Sequence, residues 1–303
     1  MRAWALALVL GGCGFSSTAA PDHGLDGGSD TAGGNTGGTG DPVAGVVHVC
    51  LGTFVGVCAD TPRTSLTLMT GMIDTSDTSS STKCLPATAY VTTPAGLDVC
   101  VVAAQTITIP GGNKVSVTGR KRLVLLANDT LTISGTLDVA SHRNGLRGPA
   151  ADTGPCPTNF TDPTTVGQGG GGWGGTFGQP GNNGGSTPGG GIGGIPGAAL
   201  TINTLGGGCP GGNGAGSNGG PGGPGGGAVV MLAGQTITIS GVVNASGAGG
   251  SGGGRSSASA GAGGGGGGTG GMIALEAPSV KLPGQCFANG GAGGEGSSVL
   301  GGN

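Results

Sequence analysis

The chain has 303 residues, of which 79 are glycine, with 8% charged residues, 3% aromatic residues and a formal net charge of −3. Ordinary proteins carry roughly 7% glycine and roughly 25% charge. A helix-rich α/β enzyme is therefore disfavoured, because glycine penalises helix interiors and few large side chains remain for a core. Eleven Lys and Arg, thinly spread, make no basic footprint for nucleic acid.

The first segment, residues 1–12, reads as a signal peptide: Arg2 is followed by an apolar stretch from Ala3 to Leu10 that is too short to span a bilayer. Leu10-Gly11-Gly12-Cys13 resembles the bacterial lipobox, in which small residues precede a cysteine that becomes lipid-modified and N-terminal. Cys13 is thus the expected lipidation site; the alternative is an ordinary secretory signal cut near Thr18-Ala19-Ala20. Residues 13–45 hold Gly, Ser, Thr and Asp with almost nothing to bury, the composition of a solvated tether. Buried acyl chains supply about 0.8 kcal/mol per CH2, enough for several chains to hold a membrane.

Residues 46–98 carry Cys50, Cys58 and Cys84 and are expected to form a disulfide-stapled cap. An exported chain meets an oxidising compartment. The expected pairs are Cys50–Cys58, Cys84–Cys100 and Cys156–Cys209, although spacing alone leaves the connectivity open. No Cys-x-x-Cys occurs, and His23, His48 and His142 are scattered, so no metal or other cofactor is expected.

From residue 99 onward the sequence repeats itself. Cys100–Gly111 (CVVAAQTITIPG), Val124–Gly135 (VLLANDTLTISG), Val230–Gly241 (VMLAGQTITISG) and Ile273–Gly284 (IALEAPSVKLPG) each join an apolar run to an alternating stretch and a glycine turn. Period-two alternation marks strands with one buried face. Ile107, Ile109, Leu131, Ile133, Ile237, Ile239, Val280 and Leu282 should point inward and the intervening Thr outward. Ile109, Ile133, Ile239 and Leu282 are spaced by 24, 106 and 43 residues. Taking 24 as the basic repeat leaves 82 and 19 residues over, and this surplus is glycine-rich. The expected fold is all-β, a short right-handed parallel β-helix with glycine-rich inserts at 167–227 and 247–271. The alternative is a β-sandwich with disordered glycine-rich loops. Cys286 aligns with Leu137 and Val243 and should be a core residue.

Gly169, Gly172, Gly175, Gly178, Gly181 and Gly184 recur every third residue, and Gly219-Gly220-Pro221-Gly222-Gly223-Pro224 adds two triplets. Three is the period of polyproline II, in which glycine allows close packing, so the inserts are either polyglycine II helices or disordered loops. Trp173, Phe177, Ile192 and Ile195 are the large apolar groups of the first insert. They should pin it to the frame or form an exposed contact patch.

These residues together resemble the glycine-rich surface lipoproteins of myxobacterial type, sometimes labelled PE-PGRS-like. The resemblance rests on Cys13, Ile73-Asp74-Thr75 leading to Cys84, LDVCVVAA at Leu97–Ala104, the TITISG repeats and FANGGAGGEG at Phe287–Gly296. It covers residues 46–303 and implies an exported protein at the outer membrane or cell surface, with no catalytic residues. The expected role is a lipid-anchored structural or adhesive protein that meets the membrane through its lipid, and polysaccharide or further copies through its loops. A carbohydrate-active β-helix enzyme is the first rival, with Asp129, Asp138, His142, Arg143 and Arg147 as its best cluster. An ice-binding surface built on Thr106, Thr130 and Thr236 is the second.

Overall fold

The computed structural model describes residues 5–10, 15–19, 46–76, 83–199, 201–257 and 260–297. Cys13 and residues 20–45 of the expected tether lie outside them.

In chain order, the strands are β1 (Ala5–Leu10), β2 (Phe15–Ala19), β3 (Val46–Leu51), β4 (Gly56–Pro62), β5 (Ser65–Thr67), β6 (Gly71–Asp74), β7 (Tyr90–Thr93), β8 (Val99–Ile109), β9 (Lys114–Thr118), β10 (Arg122–Ile133) and β11 (Thr136–Asp138). The short β12 (Thr165–Val166) and β13 (Gln168–Gly169) follow, then β14 (Ala228–Ala233), β15 (Thr236–Ile239) and β16 (Val242–Asn244). The last are β17 (Arg255–Ser257), β18 (Ala260–Gly261), β19 (Met272–Ala277), β20 (Ser279–Lys281) and β21 (Gln285–Phe287). The fold is all-β, and its main sheets are parallel.

The repeat units pair like with like, in three rows. The apolar runs at the start of β8 and β10, with β14 and β19, form the first row. The T-apolar-T-apolar stretches form the second, in which Ile109 pairs with Ile133 and Ile133 with Ile239, while Ile237 pairs with Val280. The third row is β6, β9, β11, β16 and β21, where Leu137 meets Val243 and Val243 meets Cys286. The second and third rows alternate buried and part-exposed residues. In the first row β14 and β19 are buried at every position. That row is covered on both faces, which is why its sequence is a continuous apolar run. One face joins Leu123, Leu125, Met231 and Leu275 to the second and third rows. The other packs Val124, Leu126 and Leu232 against Val55, Val57, Phe177 and Leu205.

Three details differ from the sequence alignment. Cys100 pairs with Leu123, not Val124, because a register shift between Ala127 and Thr130 lets one extra residue bulge out of β10. Ile273 likewise pairs with Val229, not Val230, because the link between β19 and β20 is one residue shorter than that between β14 and β15. The parallel rows also begin earlier than residue 99: Ser65–Thr67 pairs with β8, and Gly71–Asp74 with β9. The covering cap is the antiparallel sheet β3-β4-β7.

Glu276 is a buried carboxylate, 1% exposed, in the first row. It accepts hydrogen bonds from the backbone N–H of Thr53 at 2.6 Å, the Thr53 hydroxyl at 2.7 Å and the backbone N–H of Phe54 at 3.0 Å. A buried charge requires such partners, and these lock the β3–β4 connection to the sheet. The outer edge of β19 pairs antiparallel with β1, and β1 pairs with β2; cleavage before Cys13 would remove β1 and leave that edge open.

Candidate functional site

Glycine without a Cβ lets backbones approach until N–H meets C=O directly, but it loses the most entropy on ordering. An ordered glycine-rich insert therefore needs dense pairing between segments, and the structure supplies it. Among the described residues, eight extended segments run side by side: I (169–176), II (180–187), III (191–197), IV (206–216), V (219–227), VI (245–254), VII (261–271) and VIII (288–297). Their bonds recur every third residue, the period of polyproline II. Gly208, Gly211 and Gly214 of segment IV donate to Gly226, Gly223 and Gly220 of V at 2.8–2.9 Å. Gly247, Gly250 and Gly253 of VI donate to Asn289, Ala292 and Glu295 of VIII at 2.8–2.9 Å.

The slab is continuous with the sheets. Segments VI and VIII run straight on from the third-row strands β16 and β21, while V and VII lead directly into the first-row strands β14 and β19. The inserts thus leave after the third row and return into the first. The six-step glycine run beginning at Gly169 is broken in space. Phe177 and Gln179 exchange backbone hydrogen bonds around Gly178, whose φ of +68° suits glycine, and segment II returns antiparallel to I.

The apolar groups of the first insert divide. Phe177 is 5% exposed against Leu205 and Cys209, and Trp173 is 9% exposed with its ring centroid 4.6 Å from that of Phe160. Both pin the slab and are withdrawn from contact, contrary to a patch built on them. Phe177 is covered because the slab lies against the outer face of the first row, and Trp173 because Phe160, Gly194 and Gly212 close over its ring. Ile192 and Ile195 remain exposed, at 60% and 48%.

Thr106, Thr130 and Thr236 do form a row, flanked by Ser65 and Ser279, and Thr108, Thr132 and Thr238 form a second beside Thr67 and Lys281. All six Thr are half-buried. The acid–base residues do not converge. Asp138 is buried in the third row and held by Lys114 Nζ at 2.7 Å and His142 Nε2 at 3.1 Å. Arg147 pairs instead with Asp152 at 2.8 Å. Asp152 also accepts the N–H of Gly225 at 2.8 Å, so it ties the stretch that follows β11 to segment V of the first insert; burial raises its pKa against the opposing pull of that N–H and of Arg147. Arg143 is exposed, and Asp129 sits at the bulge of β10, its buried Oδ1 without a hydrogen-bond partner among the described residues.

The three disulfides are Cys50–Cys58, Cys84–Cys100 and Cys156–Cys209. His48, Cys50 and Cys58 lie close enough to suggest metal ligation, but both sulfurs are spent in the first disulfide. Cys286 is free and packs against the core below Val243. Burial pushes its thiol from 9.0 up to about 11. At pH 8 that leaves roughly 100-fold less thiolate than in the unfolded chain. Iodoacetamide should therefore alkylate Cys286 at least tenfold more slowly in the native protein than in denaturant; equal rates would place it outside the core. Since the folded thiol keeps its proton to higher pH, its contribution to stability is present below pH 9 and is lost as pH rises towards 11. No protein-family model matches this chain, and no curated protein or solved structure is similar to it.

Proposed function

We propose that this is an exported, lipid-anchored structural or adhesive protein of the cell surface, and that its three rows of strands are a short right-handed parallel β-helix presenting a slab of polyglycine II helices. The observation that carries this reading is the slab itself. The eight segments, 74 residues of glycine-rich chain, are ordered backbone against backbone, an arrangement that makes a rigid surface of peptide groups. Recognition is commonly carried by such elements on a stable frame. Three disulfides suit an oxidising compartment. The polar slab suits contact with cell-surface polysaccharide or with other chains.

The anchor is tested by metabolic labelling with a radioactive fatty acid. Label should enter the wild-type chain and be lost from Cys13→Ser; label retained in that variant removes the anchor. Contact is tested by fluorescence binding of the purified full chain to whole cells of its source and to their extracted polysaccharide. Absence of binding to both refutes the adhesive role. A second reading, ice binding, is favoured by the in-register Thr rows, whose strands stand about 4.8 Å apart. It requires thermal hysteresis that Thr130→Lys abolishes, and a chain without hysteresis ends it.

A further inference from the structure

Segment VII is the axis of the slab. Its carbonyls accept from three neighbours: Gly264 and Gly267 from Gly172 and Gly175 of segment I; Gly263, Gly266 and Thr269 from Gly220, Gly223 and Gly226 of V; Ala262, Gly265 and Gly268 from Ser297, Gly294 and Gly291 of VIII. Its N–H groups serve two. Gly263, Gly266 and Thr269 donate to segment IV, and Gly265, Gly268 and Gly271 donate to VI. The bonds among the neighbours themselves order them as I, IV, V, VI, VIII around the axis, with no bond joining I to VIII. Around VII the roles therefore alternate: acceptor, donor, acceptor, donor, acceptor. A three-residue helix has six such sides, and the missing sixth, between I and VIII, must be a donor side.

The remaining N–H groups fit that side. Those of Gly264, Gly267 and Gly270 have no acceptor among the described residues, although all three residues are buried. They recur every third residue, about 9 Å apart. A groove of about 370 Å³ lies there, floored by 264–270 and walled by segments I and II on one side and VIII on the other. A buried N–H needs an acceptor, so these three recruit carbonyls that reach them through the groove.

We propose that this groove is a docking slot for an extended glycine-rich segment of a second polypeptide. The segment enters as the sixth neighbour of VII and accepts from Gly264, Gly267 and Gly270 with the carbonyl of every third residue. The span from Gly264 to Gly270, about 19 Å, takes a stretch of about seven residues at polyproline II rise. A polypeptide of three-residue period is the ligand whose acceptors match both the spacing and the direction of these donors, as the carbonyls of segments IV and VI match the other N–H groups of VII. Glycine is required because the walls are themselves backbone at hydrogen-bonding distance. The proposal supplies a partner class for the contact surface proposed above and rests on that reading.

The test is titration of the full chain with an acetylated, amidated (Gly-Gly-Asn)3 peptide, followed by amide NMR. The amides of Gly264, Gly267 and Gly270 should shift and become protected from exchange, while (Ala-Ala-Asn)3 should bind at least tenfold more weakly. Gly293→Leu and Gly185→Leu add side chains on opposite walls. A Cβ at Gly293 meets only the Gly265 carbonyl oxygen, at 3.7 Å, and one at Gly185 meets nothing within 4 Å. Both variants should fold with unchanged thermal midpoints and lose peptide affinity at least tenfold. Equal binding of both peptides, affinity unaffected by the two leucines, or the three amides already protected in the free chain, as they would be if its own 33–40 stretch filled the slot, overturns the proposal. Failure here with cell binding intact sinks the slot and spares the adhesive reading. Failure of cell binding with the slot intact does the reverse.

Discussion

Gly266→Ala should destabilise the protein by about 3–5 kcal/mol. A Cβ at Gly266 would lie 1.9 Å from the Trp173 carbonyl oxygen and 2.5 Å from its carbon. Both belong to backbone, so no side chain can swing aside. Relief requires segment I to move off VII, which breaks the bonds from Gly172 and Gly175 and unseats Trp173. Overpacking adds about 1–3 kcal/mol, and each lost hydrogen bond about 1 kcal/mol. In a chain of this size the melting midpoint should fall by about 10 °C. Gly185→Ala is the control, since its Cβ meets open space; it should change stability by less than about 1 kcal/mol. Thermal melts of both variants check the pair. Equal midpoints would mean that the slab is not packed backbone to backbone.

The second large effect is expected from removing the Cys156–Cys209 bridge. It closes a separation of 53 residues, against 8 for Cys50–Cys58. Loop-closure entropy then makes it worth about 4 kcal/mol, against about 2.5 kcal/mol for the shorter loop. Its position amplifies this. Cys209 is 1% exposed, and its backbone N–H and carbonyl both bind Thr269 of segment VII. The Cys156→Ala/Cys209→Ala variant should lower the urea midpoint more than Cys50→Ala/Cys58→Ala does. Hydrogen exchange should also accelerate in segments IV and VII before it does in β10 and β14. Uniform acceleration across sheets and slab would show that the two unfold as one unit.

The TITI alternation was enough to place Ile107, Ile133 and Ile239 inside, because a strand has only two faces and one of them must be dry. The repeat spacing was enough to stack them. It could not place the bulge at Asn128–Asp129, since one extra residue changes pairing without changing composition. Nor did it reveal that Ser65–Thr67 and Gly71–Asp74 extend the rows, because stretches of three or four residues carry too little alternation to stand out. Of the candidate contact residues, Trp173 and Phe177 proved to be pins. Whether an aromatic side chain faces solvent depends on what lies over it: for Phe177 the first row and the cap, for Trp173 Phe160 and the backbones of Gly194 and Gly212.

Local pattern settled the strand type and the inward faces, both properties of short stretches read through steric alternation; the cysteine pairing, left open by spacing, was fixed by which stretches of chain stand side by side. The fate of the glycines was decided only in three dimensions. Glycine triplets are equally compatible with a loose loop and a packed helix, because the difference lies in whether other segments stand close enough to pair with them. Segments V to VIII are held in register by the strands they extend, the others pair onto them in turn, and that register turns peptide groups into a slab with one donor side left open.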